Sequence, residues 1–193
     1  VERCPVLPDL VWDPTLTTYV SMDIGLDDMH FGVVAQVIPR PDDPDPLWRR
    51  TYDVRWLDGY SHNGEGADYY AHIYTGILPE PTDSAYLSFF SPNGTDLRDS
   101  RTRDFMAFMA TMPWSSRDSK IYFTGDPAGK AREQATRTSF YKELRLHSFR
   151  LRKREVERRI ADGDQHAPKP VPITAMVSDL YPYRTFQARQ QHL

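Results

Sequence analysis

Three strand-like segments precede anything that reads as a helix, and that order restricts the fold more than any other feature of the chain. Residues 19–24, YVSMDI, put Val20, Met22 and Ile24 on one face and Tyr19, Ser21 and Asp23 on the other, the alternation of a half-buried strand. Residues 31–38, FGVVAQVI, are β-branched and apolar enough for a second strand, joined to the first by the short turn GLDDMH. The pair reads as a hairpin. The run PRPDDPDP at 39–46 has no place in a ladder, because proline lacks the N–H that a strand must donate, so it is a loop. Beyond it, residues 49–57, RRTYDVRWL, alternate Tyr52, Val54 and Trp56 as a third strand. Three consecutive antiparallel strands is the simplest topology.

The period then changes. From Ala67 the sequence suits a helix, and Phe105, Phe108, Met109 and Met112 fall at i, i+3, i+4 and i+7, with Asp104 near the start and Pro113 just past the end. These Phe and Met residues are core positions of a helix laid on a sheet. Residues 121–124 read as a fourth strand, 131–146 as a helix with Ala131, Ala135, Phe140 and Leu144 inward, and 151–161 as its extension. After the linker QHAPKPVP, the run ITAMVSD is a fifth strand ending at Asp179. The aromatic-rich residues 79–103 are read as a candidate insertion. The succession predicts an α/β fold with a mixed five-stranded sheet flanked by helices, and 193 residues suit one domain, 1–193.

Composition excludes some classes. With 39 % hydrophobic and 26 % charged residues and no run near the roughly 20 apolar residues of a membrane span, the chain is expected to be soluble, with no membrane partner. There is no basic-then-apolar leader, and the single Cys4 allows no internal disulfide, which points to a reducing, intracellular setting. The net charge of -3 is unevenly spread: residues 130–159 hold eleven Lys or Arg and four Glu, and the preceding part is acidic. Such a segment is either a solvated helix face or a surface for an anionic partner. An acidic first half would repel nucleic acid unless its carboxylates bind cations.

Asp23 and Asp126 share a context. Each stands at the C-terminal end of an expected strand, with Gly25 or Gly129 soon after, and ligand sites in α/β sheets favour that edge. If the first and fourth strands are parallel neighbours, the two carboxylates meet, and close like charges either raise a carboxyl pKa or hold a divalent cation. Hard oxygen ligands suit Mg²⁺ or Mn²⁺ rather than zinc. Taken singly, Asp126 before Pro127 equally fits a helix N-cap, and Asp23 a solvated strand end. His62, His72 and Glu65 lack the spacing of a zinc site and are read as surface histidines, and no Gly-x-Ser-x-Gly elbow supports a serine nucleophile.

The stretch GDPAGKAREQATRTSFYKEL, with YVSMDIGLDDMHFGVVAQV upstream, resembles the nuclease domain of the large terminase subunit of tailed bacteriophages. In that family a first strand carries Asp-x-Gly and a later strand ends in Gly-Asp-Pro-Ala-Gly, followed by Arg, Gln and Thr, matched by Arg132, Gln134 and Thr136. The resemblance runs from about Tyr19 to about Arg189, with 38–118 matching only in outline. It implies a ribonuclease H-like fold and a metal-dependent endonuclease that cuts double-stranded DNA during genome packaging in the host cytoplasm. It implies two Mg²⁺ or Mn²⁺ ions held by Asp23 and Asp126, with Lys130, Arg132 and Arg137 on the DNA backbone. The implied partners are DNA, an ATPase domain, a portal and a small terminase subunit.

Two departures accompany the resemblance. The family's third catalytic acid lies on a helix further on. Asp179, the only acidic residue after Asp164, stands at a strand end and does not match it, so either that motif lies past Leu193 or the site is incomplete. The ATPase is absent: GDPAGK has one residue too few between its glycines for a phosphate-binding P-loop, and Ala131 follows the lysine. The chain is therefore expected to be a nuclease domain alone. Two other readings remain. MDIG also resembles the phosphate loop of actin-like and sugar-kinase phosphotransferases, although Leu26, Asp27 and Asp28 stand where that family has Ser or Thr. A non-catalytic DNA-docking module would use the basic segment alone.

Overall fold

The computed structural model describes residues 11–24, 29–39, 52–113, 120–130 and 138–176. Strands β1 (Thr17–Asp23), β2 (His30–Pro39) and β3 (Tyr52–His62) are followed by helices α1 (Ala67–Thr75), α2 (Tyr86–Phe89) and α3 (Ser100–Ala110). Strand β4 (Ile121–Gly125), a 3-10 turn (Pro127–Lys130), helix α4 (Phe140–Ala161) and strand β5 (Ala175–Met176) complete the chain. The sheet order is β3-β2-β1-β4-β5. β1, β2 and β3 pair antiparallel, while β1 with β4 and β4 with β5 pair parallel. This is the mixed, ribonuclease H-like arrangement expected from the sequence.

β1 lies at the centre because its alternation feeds two partners. Val20 and Met22 are buried beneath the helices with Val34, Tyr60 and Phe123, whereas Tyr19, Ser21 and Asp23 point to the other face. On that outer face Trp56, Ala35, Tyr19 and Tyr122 stand in one register row across four strands, and the Tyr19 and Tyr122 rings stack 5.7 Å apart. The register between β2 and β3 shifts between Val34 and Ala35, with Asp58 and Trp56 as their partners, so Leu57 is the extra residue of a bulge.

α1 is the core helix. Eight of its nine residues are buried, which is why no polar stripe marks it in the sequence. It ends at Gly76, whose φ of 68° is left-handed and whose missing Cβ lets the backbone of α3 approach: a methyl there would sit 2.6 Å from the Ala110 nitrogen and the Met106 oxygen. α3 presents Phe105 and Met109 to the core as the spacing predicted, with Phe108 half-buried and Met112 buried just past the helix end. Met106, which the spacing did not name, is also buried, and the helix begins four residues before Asp104. Asp99 is its cap, accepting from the Thr102 N–H.

α4 buries Phe140, Tyr141, Leu144, Ser148, Leu151 and Val156, one stripe of an otherwise charged helix, against α1. The helix expected over 131–146 and its extension over 151–161 are one helix from Phe140 onward, begun by Ser139, whose hydroxyl accepts from the Lys142 N–H. Ala131 and Ala135 lie outside the described residues. Residues 79–103 pack into the same core through Ala85 and Phe89, and they close with a bridge between Phe90 and Asp96. No helix among the described residues is long and apolar enough to cross a membrane.

Candidate active site

Parallel pairing of β1 with β4 sets Met22 opposite Gly125, and the Asp126 N–H donates to the Met22 carbonyl at 3.1 Å. The next residue of each strand is therefore an aspartate beside an aspartate. Asp23 and Asp126, with Ser21, Met22, Thr124, Gly125 and Met176, line an opening of about 530 Å³ at the C-terminal edge of the two strands. Asp23 is exposed and Asp126 half-buried. The sheet's alternation fixes this: Ser21 faces Thr124 on the outer side, so the carboxylates two residues further along each chain emerge on that side too.

Beneath the pair lies Tyr141. Its hydroxyl donates to the Asp126 carbonyl at 2.8 Å, and the same carbonyl accepts from the Gly129 N–H at 3.2 Å. The Tyr141 hydroxyl is held well above the usual phenol range, first by burial and then by the negative charges of Asp126 and Asp23. Both carboxylates thus act on one buried oxygen, and that oxygen stays a protonated donor.

The donor chemistry fits a hard divalent cation: two carboxylates on one face of a partly open cleft, with no cysteine or histidine among its lining residues. In number the pair suits one ion. Among the described residues no group of three or more His, Cys, Asp or Glu side chains comes together. Asp27, Asp28 and Asp179, the nearest acids in the sequence to these strand ends, lie outside the described residues, as do Arg132, Gln134, Thr136 and Arg137.

Lys130 is exposed at the end of the 3-10 turn that follows Asp126. Among the described residues, the segment directly after Asp126 is this four-residue 3-10 turn. The basic segment is less available than its charge suggested. Arg152 is buried, donates to the Val171 carbonyl at 2.5 Å, and has its pKa pushed down to about 9 by burial. Arg154 is held by Asp83 and Glu80, Arg158 by Glu155 and Arg159 by Asp164. Lys142, Arg145 and Arg150 are the cations of α4 with no carboxylate partner among the described residues, and Lys142 and Arg145 line a groove with Leu146, Phe149 and Pro172.

The histidine expectation is corrected for His72. It is 3 % exposed on the buried helix α1, its Nδ1 is 2.8 Å from the Ile77 carbonyl, and its Nε2 is 3.9 Å from Asp83. His62 is half-buried and stacks on Tyr69. Neither joins the carboxylate pair. Comparison with known proteins gives no match to a protein family, to a curated protein or to a solved structure.

Proposed function

We propose that this chain is a metal-dependent endonuclease acting on double-stranded DNA, the nuclease part of a phage genome-packaging terminase. The observation that carries this reading is the adjacency of Asp23 and Asp126 at the ends of two parallel strands, on one face of a ribonuclease H-like sheet. In that role the protein works in the host cytoplasm during virion assembly, beside an ATPase domain, a portal and a small terminase subunit.

Asp23 and Asp126 would hold Mg²⁺ or Mn²⁺ through their carboxylate oxygens. Divalent ions in such sites lower the pKa of water and stabilise a leaving oxygen, so a side-chain nucleophile is unnecessary. The chain's own work is placement. The parallel ladder fixes the spacing of the carboxylates, the Asp126 N–H ties its strand end to Met22, and Tyr141 ties the Asp126 carbonyl to α4. Lys130, just past Asp126, would supply positive charge for phosphates, Lys142 and Arg145 would do so from a separate groove on α4, and Arg132 and Arg137 would be further DNA contacts. Phosphate contacts position the duplex without reading its sequence, which suits a packaging nuclease.

The test is nicking and linearisation of plasmid in Mn²⁺, in Mg²⁺ and in EDTA. Metal-dependent cutting that Asp23→Ala and Asp126→Ala each abolish is the expected result. Cutting retained in either variant overturns the assignment.

A further inference from the structure

Tyr141 is built into the turn that carries Asp126. A methyl group on Gly125 would collide with the Tyr141 hydroxyl, and one on Gly129 would lie 2.5 Å from its ring and 2.7 Å from Ile24 Cδ1. The two glycines that bracket Asp-Pro-Ala are therefore the space into which the ring fits. Phe140, beside it, packs edge-on at 6.0 Å. From that position the hydroxyl reaches one atom of the site, the Asp126 carbonyl.

We propose that Tyr141 is the positioning residue for the metal-binding carboxylate of Asp126, an inference that rests on the nuclease reading above. The peptide units on either side of Asp126 are fixed from two directions. Its N–H is bound to β1 through Met22, and its carbonyl is bound to α4 through Tyr141. With both peptide units held, the direction of the Asp126 Cα–Cβ bond is set relative to β1 and α4, and tilting the residue away from Asp23 means breaking one of these bonds. A hydrogen bond at 2.8 Å from a rigid, buried ring opposes it. The glycines, the tyrosine and the aspartate form one device, in which the sequence motif makes room for a residue lying 12 positions past its last glycine.

Tyr141→Phe separates the hydroxyl from the ring, because phenylalanine fills the same space. Mn²⁺ binding by the full chain without DNA, followed by electron paramagnetic resonance, is the primary readout, with thermal melting and cleavage alongside. The expected result is Mn²⁺ affinity weakened about tenfold or more, the range seen for groups that orient metal ligands. The melting temperature should change little. The Mn²⁺ concentration for half-maximal cleavage should rise by the same factor, with the rate at saturating Mn²⁺ largely retained. Phe140→Leu is the control for packing: it should lower the melting temperature and leave Mn²⁺ affinity unchanged. Unaltered Mn²⁺ affinity in Tyr141→Phe overturns the positioning role while leaving the nuclease reading intact. Equal affinity loss in both variants assigns the effect to packing and also overturns it. If the unaltered protein and Asp126→Asn bind Mn²⁺ equally, the nuclease reading itself fails and takes this inference with it.

Discussion

Arg154 and Asp83, 71 residues apart, meet as a fork: Nη1 donates to Oδ1 at 2.9 Å and Nη2 to Oδ2 at 2.8 Å. The pair clamps α4 to the segment between α1 and α2, and Glu80 adds a third oxygen at 3.3 Å from Nε. The Arg154 fork holds the Asp83 carboxyl below its ordinary value of 3.8. A depressed carboxylate stabilises the fold above its unfolded pKa, and that contribution is lost as pH falls through the folded value. A double-mutant cycle of Arg154→Leu and Asp83→Asn, read by urea denaturation near neutral pH, should give a coupling of about 1 kcal/mol, since both groups are partly exposed. As pH falls well below the ordinary carboxylate value the coupling should fade, because protonated Asp83 no longer pairs with Arg154.

His30 also costs stability as pH falls, but because its neutral form is the one the fold holds. It is 1 % exposed, stacked on Tyr70 at 3.9 Å, with Nε2 2.6 Å from the Tyr74 hydroxyl. Burial, followed by the nearby His62, pushes its pKa down to about 4 from an ordinary 6.5. The unfolded chain therefore takes up the proton first, so stability is full above about pH 6.5 and falls toward pH 4, by roughly 3 kcal/mol at the limit. His30→Gln retains a polar atom for Tyr74 and cannot charge. Denaturation at about pH 7 and about pH 4.5 should show a markedly smaller drop in that variant than in the unaltered protein.

Gly32 and Gly59 are cross-strand neighbours that should respond differently to the same change. A methyl on Gly32 would run into the Tyr74 hydroxyl and lie 2.9 Å from Cζ of a fully buried ring, whereas one on Gly59 meets only the Gly32 carbonyl at 3.5 Å. Gly32→Ala should cost roughly 1–3 kcal/mol by overpacking. Gly59→Ala should leave the urea midpoint unchanged or slightly higher. Equal midpoints for the two variants would contradict the packing described around Tyr74.

Lys142 and Arg145 carry the sharpest expectation for DNA. Replacing both with alanine should weaken duplex binding and lower the slope of log affinity against log salt by roughly 2, as two lost phosphate contacts require. Arg158→Ala should change neither quantity, because that guanidinium is already engaged by Glu155 at 2.7 and 3.0 Å. Fluorescence anisotropy over a salt series distinguishes these outcomes.

The carboxylate pair was legible because strand alternation and strand-end position are local properties, and β1 and β4 paired as the α/β order required. Tyr141 was not legible. Its role depends on α4 packing against the turn after β4, a tertiary relation for which the sequence offers only the two bracketing glycines as a sign. His72 was misjudged for a similar reason: α1 is enclosed on nearly all sides, so a polar residue on it looks like a surface residue until the layers are assembled. The basic segment misled by its sum. Its individual arginines find Asp83, Glu155 and Asp164, partners that a net charge does not display.

The pairing of Val20 with Phe123 joins positions about 100 residues apart in the chain. A chain emerging during synthesis can complete the β1–β3 meander and hold Asp23 in its final conformation long before Asp126 has been made. Closing that long loop is the entropically late step of folding. The two acids therefore become neighbours only when the sheet is completed across β4, so the pair exists only in the finished fold.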